Sequence, residues 1–497
     1  MKYNITITSE KRLLVKIKDF QFKTGALTLL LGESGIGKSL ISKAIFGLLS
    51  ADELEISFNH SPYSDYIQSK TCREMQENGF FVFQEPSSHL NPLRSLNQQL
   101  NEGSISDPST NRQILSRLFP AFSKSERDQL LSVFPKPFRP SGGEKQRILI
   151  AMAFKKILLL PDQSDNRSAV FIFDEPTGNL DNEYRNIFLH MLLAAQKKLK
   201  FTSLLITHDY SMISEISNQN PSILPEIDFK ELCERNKKLV LESFSPHSYL
   251  SWLRSVEPKP MSHKFSQKPL LTLHPEIRVF NRKFRITSDP LHKKTCNLEI
   301  FPAEAVYLKA ESGAGKTTIA KIIMGLQTCP YFRCDIDHYE LNQLTPEYNW
   351  KKYIWAKRMS MVFQHADEAL NLNGKVKDIF RGLPLAKRKD HHFLIEKLKV
   401  VFEDDVDEAF LDQAVASLSG GQKQRLNLIR ALILDTDILI LDEPLNGLDF
   451  LTLQKILTLL QERQQQGKSY LLISHNEEII DRIVPSDRIY YLSWTRI

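Results

Sequence analysis

One short pattern occurs twice in this chain and constrains its fold more than any other feature: an apolar run, a glycine-rich turn ending in Gly-Lys-Ser/Thr, and a helical stretch. The first copy is Gly32–Ser39, which reads Gly-Glu-Ser-Gly-Ile-Gly-Lys-Ser. It follows Ala26–Leu31, a short apolar run bounded by Gly25 and Gly32 that predicts a buried strand. It precedes Leu40, Ile41, Ala44 and Ile45, which share one helical face. Glycines at positions 32, 35 and 37, with Ser34 among them, let backbone N–H groups turn inward on a polyphosphate at a helix N-terminus. Lys38 then reaches the β- and γ-phosphates, and the Ser39 hydroxyl is a Mg²⁺ ligand. The second copy, Lys309–Thr318, follows the strand-like run Ala305–Leu308 and supplies Ser312, Gly313, Gly315, Lys316, Thr317 and Thr318. The two lysines are 278 residues apart (316 − 38).

Further motifs return at nearly the same offset, so the chain is a tandem duplication. Phe81-Val82-Phe83-Gln84 returns as Met361-Val362-Phe363-Gln364, and Ser141-Gly142-Gly143 as Ser419-Gly420-Gly421. Ile172-Phe173-Asp174-Glu175-Pro176 returns as Ile440-Leu441-Asp442-Glu443-Pro444, and His208 as His475. The offset drops from 278 (419 − 141) to 268 (442 − 174). Ten extra residues therefore lie in the first copy, near Pro161–Ser168, where the Asp, Ser, Asn and Pro content predicts a surface loop.

This ordered set resembles the nucleotide-binding domain of ATP-binding cassette (ABC) proteins, twice over and across nearly the whole chain. The resemblance implies an α/β fold of two P-loop NTPase cassettes in tandem. Each would have a mixed sheet core, an antiparallel β subdomain and an α-helical subdomain, the last at about 94–137 and 374–416. The expected division is a first cassette at 1–220, a linker at 221–270 and a second cassette at 271–497. The implied reaction is hydrolysis of ATP with Mg²⁺. Asp174 and Asp442 would hold the metal with Ser39 and Thr317, joined by Gln84 and Gln364. Glu175 and Glu443 would deprotonate the attacking water, and His208 and His475 would contact the γ-phosphate. The Ser-Gly-Gly motifs open helices over Gln146–Lys155 and Gln424–Leu434, and in ABC proteins they meet the nucleotide of the opposite cassette. Asp181 and Asp449 belong at that interface. Covalent linkage of two cassettes raises their effective concentration, to about the millimolar range.

Two details narrow the resemblance. Gln84 is followed by Glu85-Pro86-Ser87-Ser88-His89-Leu90-Asn91-Pro92, and Q-x-P-x-x-x-L-N-P resembles the ATPases of peptide and nickel importers. Pro246-His247-Ser248-Tyr249 resembles the P-x-H-P-Y tail of the same ATPases, with Ser248 in place of a proline. Cys233 stands alone there, so no iron–sulfur centre is expected. The implied partners are integral-membrane permease subunits and, through them, a substrate-binding protein. A soluble twin-cassette ATPase acting on the ribosome is the rival reading. Such proteins usually join their cassettes by a long charged helical pair, whereas this linker is broken by prolines. A DNA-repair ATPase would want zinc-type cysteine sets.

Composition adds bounds. A net charge of +6, from 65 Lys+Arg against 59 Asp+Glu, is spread without a long basic run, so nucleic acid is not required as a partner. No apolar segment reaches membrane-span length and the start is not a secretory signal, so a cytoplasmic chain, peripheral on the membrane, is expected. An aromatic near each N-terminal strand stacks on adenine in ABC proteins; Tyr3, Phe20, Phe280 and Phe284 are the candidates. Two departures stand out. Ala310 replaces the first glycine of the second P-loop, and the first Ser-Gly-Gly is flanked by Pro140 and Glu144. In head-to-tail pairing both fall on one composite site, which is expected to turn over more slowly.

Overall fold

The computed structural model describes every residue except 1, 11, 51–53, 103–107, 135–139, 162–165, 179, 236–237, 258–267, 312, 385–390, 403–405 and 497. The chain divides into two compact units, Met1–Leu250 and Ser251–Ile497. No helix among the described residues is long and apolar enough to cross a membrane.

In the first unit a six-stranded sheet runs in the order Lys238–Ser243, Asp228–Arg235, Leu27–Gly32, Thr202–Ile206, Val170–Asp174, Phe80–Val82. All its pairings are parallel except that of the first two strands. Leu27–Gly32, Val170–Asp174 and Thr202–Ile206 are buried along their whole length, as expected for parallel strands covered by helices on both faces. A four-stranded antiparallel sheet of Arg12–Gln21, Lys2–Ser9, Glu55–Phe58 and Ser61–Pro62 packs its alternate residues Tyr3, Ile5 and Ile7 into the same core. Leu96–Asn101, Pro108–Leu118 and Lys124–Ser132 supply the expected helices ahead of the long helix Gly142–Leu158.

The second unit repeats the plan with a seven-stranded sheet, ordered Glu276–Val279, Arg282–Thr287, Ile489–Arg496, Ala305–Lys309, Ser469–Ile473, Ile438–Asp442, Met359–Val362. Its four-stranded antiparallel sheet is Leu298–Ile300, Leu271–Leu273, Arg333–Ile336 and Tyr339–Asn342. Here the Ser-Gly-Gly helix is Gly420–Ile433, preceded by His391–Phe402.

Three expectations are corrected. Much of 221–270 is not linker. Asp228–Arg235 pairs in parallel with the P-loop strand and Lys238–Ser243 closes the sheet edge. The prolines of this stretch fall outside both strands, so they do not oppose sheet formation. Tyr249, in helix Pro246–Ser255, is fully buried and stacks on Tyr210 at 5.8 Å. Second, Tyr3, Phe20 and Phe284 lie at 3 %, 1 % and 2 % exposure inside the hydrophobic core, which removes them as base platforms; Phe280 is 79 % exposed. Third, the ten-residue insertion is anchored rather than wholly superficial. Residues 162–165 lie outside the described ones, but the buried Asn166 donates from Nδ2 to the carbonyls of Pro161 and Leu199, both at 3.0 Å.

Candidate functional site

In the first unit four parallel strands end at one edge of the sheet, and each delivers one part of the site there, the place where open α/β sheets take ligands. Leu27–Gly32 runs into the P-loop and Phe80–Val82 toward Gln84. Val170–Asp174 ends on Asp174-Glu175, and Thr202–Ile206 leads through Thr207 to His208. Gly37 is the N-cap of helix Lys38–Ile45 at φ 108°, a left-handed conformation that glycine adopts without strain. A Cβ there would sit 2.7 Å from Val15 Cγ2. Ser34 and Gly35 form the crest ahead of it. Lys38 Nζ lies over the loop, donating to the carbonyls of Gly32 at 2.7 Å and Glu33 at 2.8 Å.

The acidic pair is tied to its neighbours. Ser39 Oγ donates to Asp174 Oδ1 at 2.8 Å, and Gln84 Nε2 donates to Glu175 Oε2 at 2.8 Å. His208 Nδ1 lies 3.3 Å from Glu175 Oε1. Glu175 holds a φ of 43° and Glu443 one of 51°, left-handed conformations that disfavour a side chain. Backbone bonds from Glu175 N to Ile206 O at 3.0 Å and from Glu443 N to Ile473 O at 2.8 Å hold them there. Sequence motifs point to these glutamates but carry no sign of the strained backbone that aims them.

The second unit brings the same residue types together with different bonding. Gly315 caps helix Lys316–Ile323 at φ 96°, and Thr318 is half-buried in the first turn. Gly313 precedes it, and Ser312 lies outside the described residues. Lys316 Nζ donates to the carbonyls of Ala310 at 2.7 Å and Glu311 at 3.2 Å. The alanine at 310 is therefore accommodated, and the reason lies in the sheet. Gly32, at φ 138°, pairs with Leu232, and a Cβ there would meet the Leu232 carbonyl oxygen at 2.4 Å. The matching pairing ends at Lys309, one residue before Ala310. Gln364 is bonded not to Glu443 but to Thr317, whose hydroxyl donates to Gln364 Oε1 at 3.2 Å. Glu443 Oε2 instead accepts from His475 N at 3.0 Å and Ser474 Oγ at 3.2 Å, and His475 Nε2 lies 3.4 Å from Glu443 Oε1.

The carboxylates respond to these surroundings. Burial pushes Asp174 up to about 6 and raises Asp442 as well. Burial also pushes Glu443 up to about 7. It acts the same way on Glu175, but the adjoining His208 and Lys38 outweigh it and hold that carboxyl below its ordinary range. Both Asp442 oxygens are buried with no hydrogen-bond partner among the described residues. A buried carboxylate with the Thr317 hydroxyl alongside it, that hydroxyl in turn bonded to Gln364, fits a divalent cation, which would offset the burial penalty.

Ser141 and Ser419 are N-caps of the helices Gly142–Leu158 and Gly420–Ile433. Each forms a reciprocal capping box. Ser141 Oγ accepts from Glu144 N at 3.3 Å while Glu144 Oε2 accepts from Ser141 N at 2.7 Å. Ser419 and Gln422 do the same at 3.1 and 2.9 Å. The folding role of position 144 is thus identical to that of 422, but it places a negative charge at a helix N-terminus suited to binding an anion. Gly142 and Gly420 are exposed in the first turn, Gly143 half-buried and Gly421 buried. Past Gln84 an open groove of about 430 Å³ is lined by Phe80, His89, Asn91, Gln99, Leu100 and Met152.

The ABC transporter family matches residues 15–178 and 293–446. An ABC transporter ATP-binding protein of Escherichia coli K12, YejF, is 28% identical over 501 residues, covering 94% of this chain and 88% of that protein. The peptidoglycan transport ATP-binding protein YejF of Agrobacterium fabrum is 25% identical, covering 93% and 84%. The glutathione import ATP-binding protein GsiA of Escherichia coli O6:H1 is 24% identical, covering 98% and 84%. Among solved structures, an RNase-L inhibitor matches with a TM-score of 0.59 at 16% identity, covering 98% of this chain and 89% of that one. An archaeal ribosome recycling factor, solved with a ribosomal stalk protein, matches with a TM-score of 0.58 at 16% identity, covering 96% and 87%. Likeness at that identity speaks for the twin-cassette fold alone. The chain belongs to the ABC transporter ATP-binding family, with two cassettes in one polypeptide and ATP hydrolysis as its reaction.

Proposed function

We propose that this chain is the ATP-hydrolysing subunit of an importer for peptides or a related small solute, nickel included. It would sit on the cytoplasmic face of the membrane, held by integral permease subunits that receive solute from a substrate-binding protein. The observation that carries this reading is correspondence over more than nine-tenths of the chain with ATP-binding proteins named for glutathione import and peptidoglycan transport. The Q-x-P-x-x-x-L-N-P tail and the groove that its His89 and Asn91 line support it, because an amphipathic helix of a permease seated there would touch the segment that begins at Gln84, which bonds Glu175.

In the proposed chemistry Lys38 and Lys316 bind the phosphates, with the N–H groups of Gly35, Gly37, Gly313 and Gly315. Ser39, Gln84 and Asp174 in one copy, and Thr317, Gln364 and Asp442 in the other, would hold Mg²⁺. When bound, that ion neutralises phosphate charge. Glu175 and Glu443 orient the water and take its proton. His208 and His475 steady those glutamates and face the terminal phosphate. In the head-to-tail pairing that the family resemblance implies, Ser141, Gly142 and Gly143 would complete the site of the second P-loop, and Ser419, Gly420 and Gly421 that of the first. In that pairing Glu144 would repel the phosphate it faced, and the site built on Lys316 would turn over more slowly. Motion between open and closed pairs would drive the permease.

The test is co-purification from detergent-solubilised host membranes with a tagged Glu175→Gln/Glu443→Gln chain closed on ATP. Recovery of multi-span permeases is the expected result. Recovery of ribosomal subunits, with the chain absent from membranes, would replace this reading with a ribosome-directed one.

A further inference from the structure

We propose that Arg185 and Asp209 are positioning residues for hydrolysis in the first cassette, an ion pair that ties the segment bearing His208 to the helix beginning after Asp181. This rests on the reading of His208 given above. Asp181 N-caps helix Asn182–Leu199, its carboxylate accepting from Tyr184 N at 3.1 Å. One residue on, Arg185 is 9 % exposed, and its Nη1 lies 2.8 Å from Asp209 Oδ2. The same nitrogen donates to Ser211 Oγ, and the guanidinium also bonds Asn186 Oδ1 at 2.8 and 3.0 Å. Asp209 Oδ1 in turn accepts from Ser211 N at 3.0 Å, and Asp209 N donates to Thr207 Oγ1 at 3.0 Å. The turn Thr207–Ser211 is therefore closed on itself and fixed from outside by one buried arginine. His208 projects from the middle of that turn onto Glu175.

The neighbouring Tyr184 is held as well, since the Arg147 guanidinium of the Ser-Gly-Gly helix lies 4.0 Å over its ring. The first cassette thus links its Ser-Gly-Gly helix, the Asp181 helix and the His208 turn through side chains. At the matching positions the second cassette has Thr452, Leu453 and Asn476. Leucine and asparagine form no ion pair, and Leu453 is simply buried in the core. A buried pair of this kind is weak support for stability but holds geometry.

ATPase kinetics of the full chain test this, with Arg185→Leu/Asp209→Asn copying the second cassette without leaving a buried charge. The expected result is a kcat lowered about ten-fold with KM for ATP within about two-fold, thermal midpoint unchanged, and partial recovery in Arg185→Lys. His208→Ala serves as the reference and should lose most of kcat. A double variant within two-fold of wild type, while His208→Ala is inactive, overturns the proposal and leaves the role of His208 standing. A kcat loss that tracks a fall in thermal midpoint across the variants marks the pair as structural only. An active His208→Ala would remove the reading of His208 and the proposal with it.

Discussion

The two cassettes share a plan and differ in how their acidic pairs are wired. In the first, Glu175 is met by Gln84 and His208, and Asp174 by Ser39. In the second, Glu443 also has its histidine, His475 Nε2 at 3.4 Å, but its hydrogen bonds come from backbone and hydroxyl donors, Gln364 is turned to Thr317, and Asp442 has the Thr317 hydroxyl beside it without a well-formed hydrogen bond. The same motif letters therefore yield a carboxylate held ionised in one copy and one pushed up to about 7 in the other. A motif fixes which residues meet; the charges and donors around them fix the protonation state in which they meet.

The largest expected effect separates the two P-loop lysines. Lys38→Ala should lower steady-state ATP hydrolysis by about 10²–10³-fold, the scale of losing a preorganised charge on the phosphates. Lys316→Ala should lower it only a few-fold if, as proposed, that site turns over more slowly; equal losses in the two variants would erase the contrast. The second effect is on stability. Glu443 titrates near 7 in the fold against an ordinary value of 4.5, so its carboxylate destabilises the fold progressively between those pH values and fully above them. Glu443→Gln should stabilise the nucleotide-free protein at pH 8 by about 3 kcal/mol, an advantage that fades as the pH is lowered toward 4.5. Glu175 has its pKa depressed, so its carboxylate contributes stability above its unfolded value, and Glu175→Gln should lower the midpoint instead. Calorimetry of both variants from pH 5 to pH 8 checks the opposite signs. The smallest effect is at Glu144. Its replacement by Gln keeps the capping box that Gln422 already makes, and removes one negative charge that favours the helix N-terminus by up to about 1 kcal/mol. Under the proposed head-to-tail pairing, ATP should then bind the Lys316 site up to about five-fold more tightly in an equilibrium titration, while the thermal midpoint falls slightly.

Much of this was legible in the letters because P-loops, strand-end Asp-Glu pairs and Ser-Gly-Gly helix starts are local signals, each needing only its neighbours in sequence. The repeat then fixed two cassettes. What was not legible is non-local. Asp228–Arg235 reads as part of a Pro-flanked connector until it is seen hydrogen-bonded beside the P-loop strand. Tyr3 and Phe284 alternate like any strand residue, and only the packing of two sheets decides that they face the core rather than a base. Ala310 reads as a defect, yet the second sheet stops one residue short of it and the lysine contacts survive. Arg185 and Asp209 are 24 residues apart, so no window of sequence joins them.

The central claim is that the two sites are unequal, and counting nucleotides tests it most directly. The wild-type chain would be mixed with radiolabelled ATP and Mg²⁺, filtered rapidly, quenched and its bound nucleotide resolved. One ADP and one intact ATP retained per chain is the predicted result. Two ADP per chain, or equal mixtures in Lys38→Ala and Lys316→Ala, would contradict it.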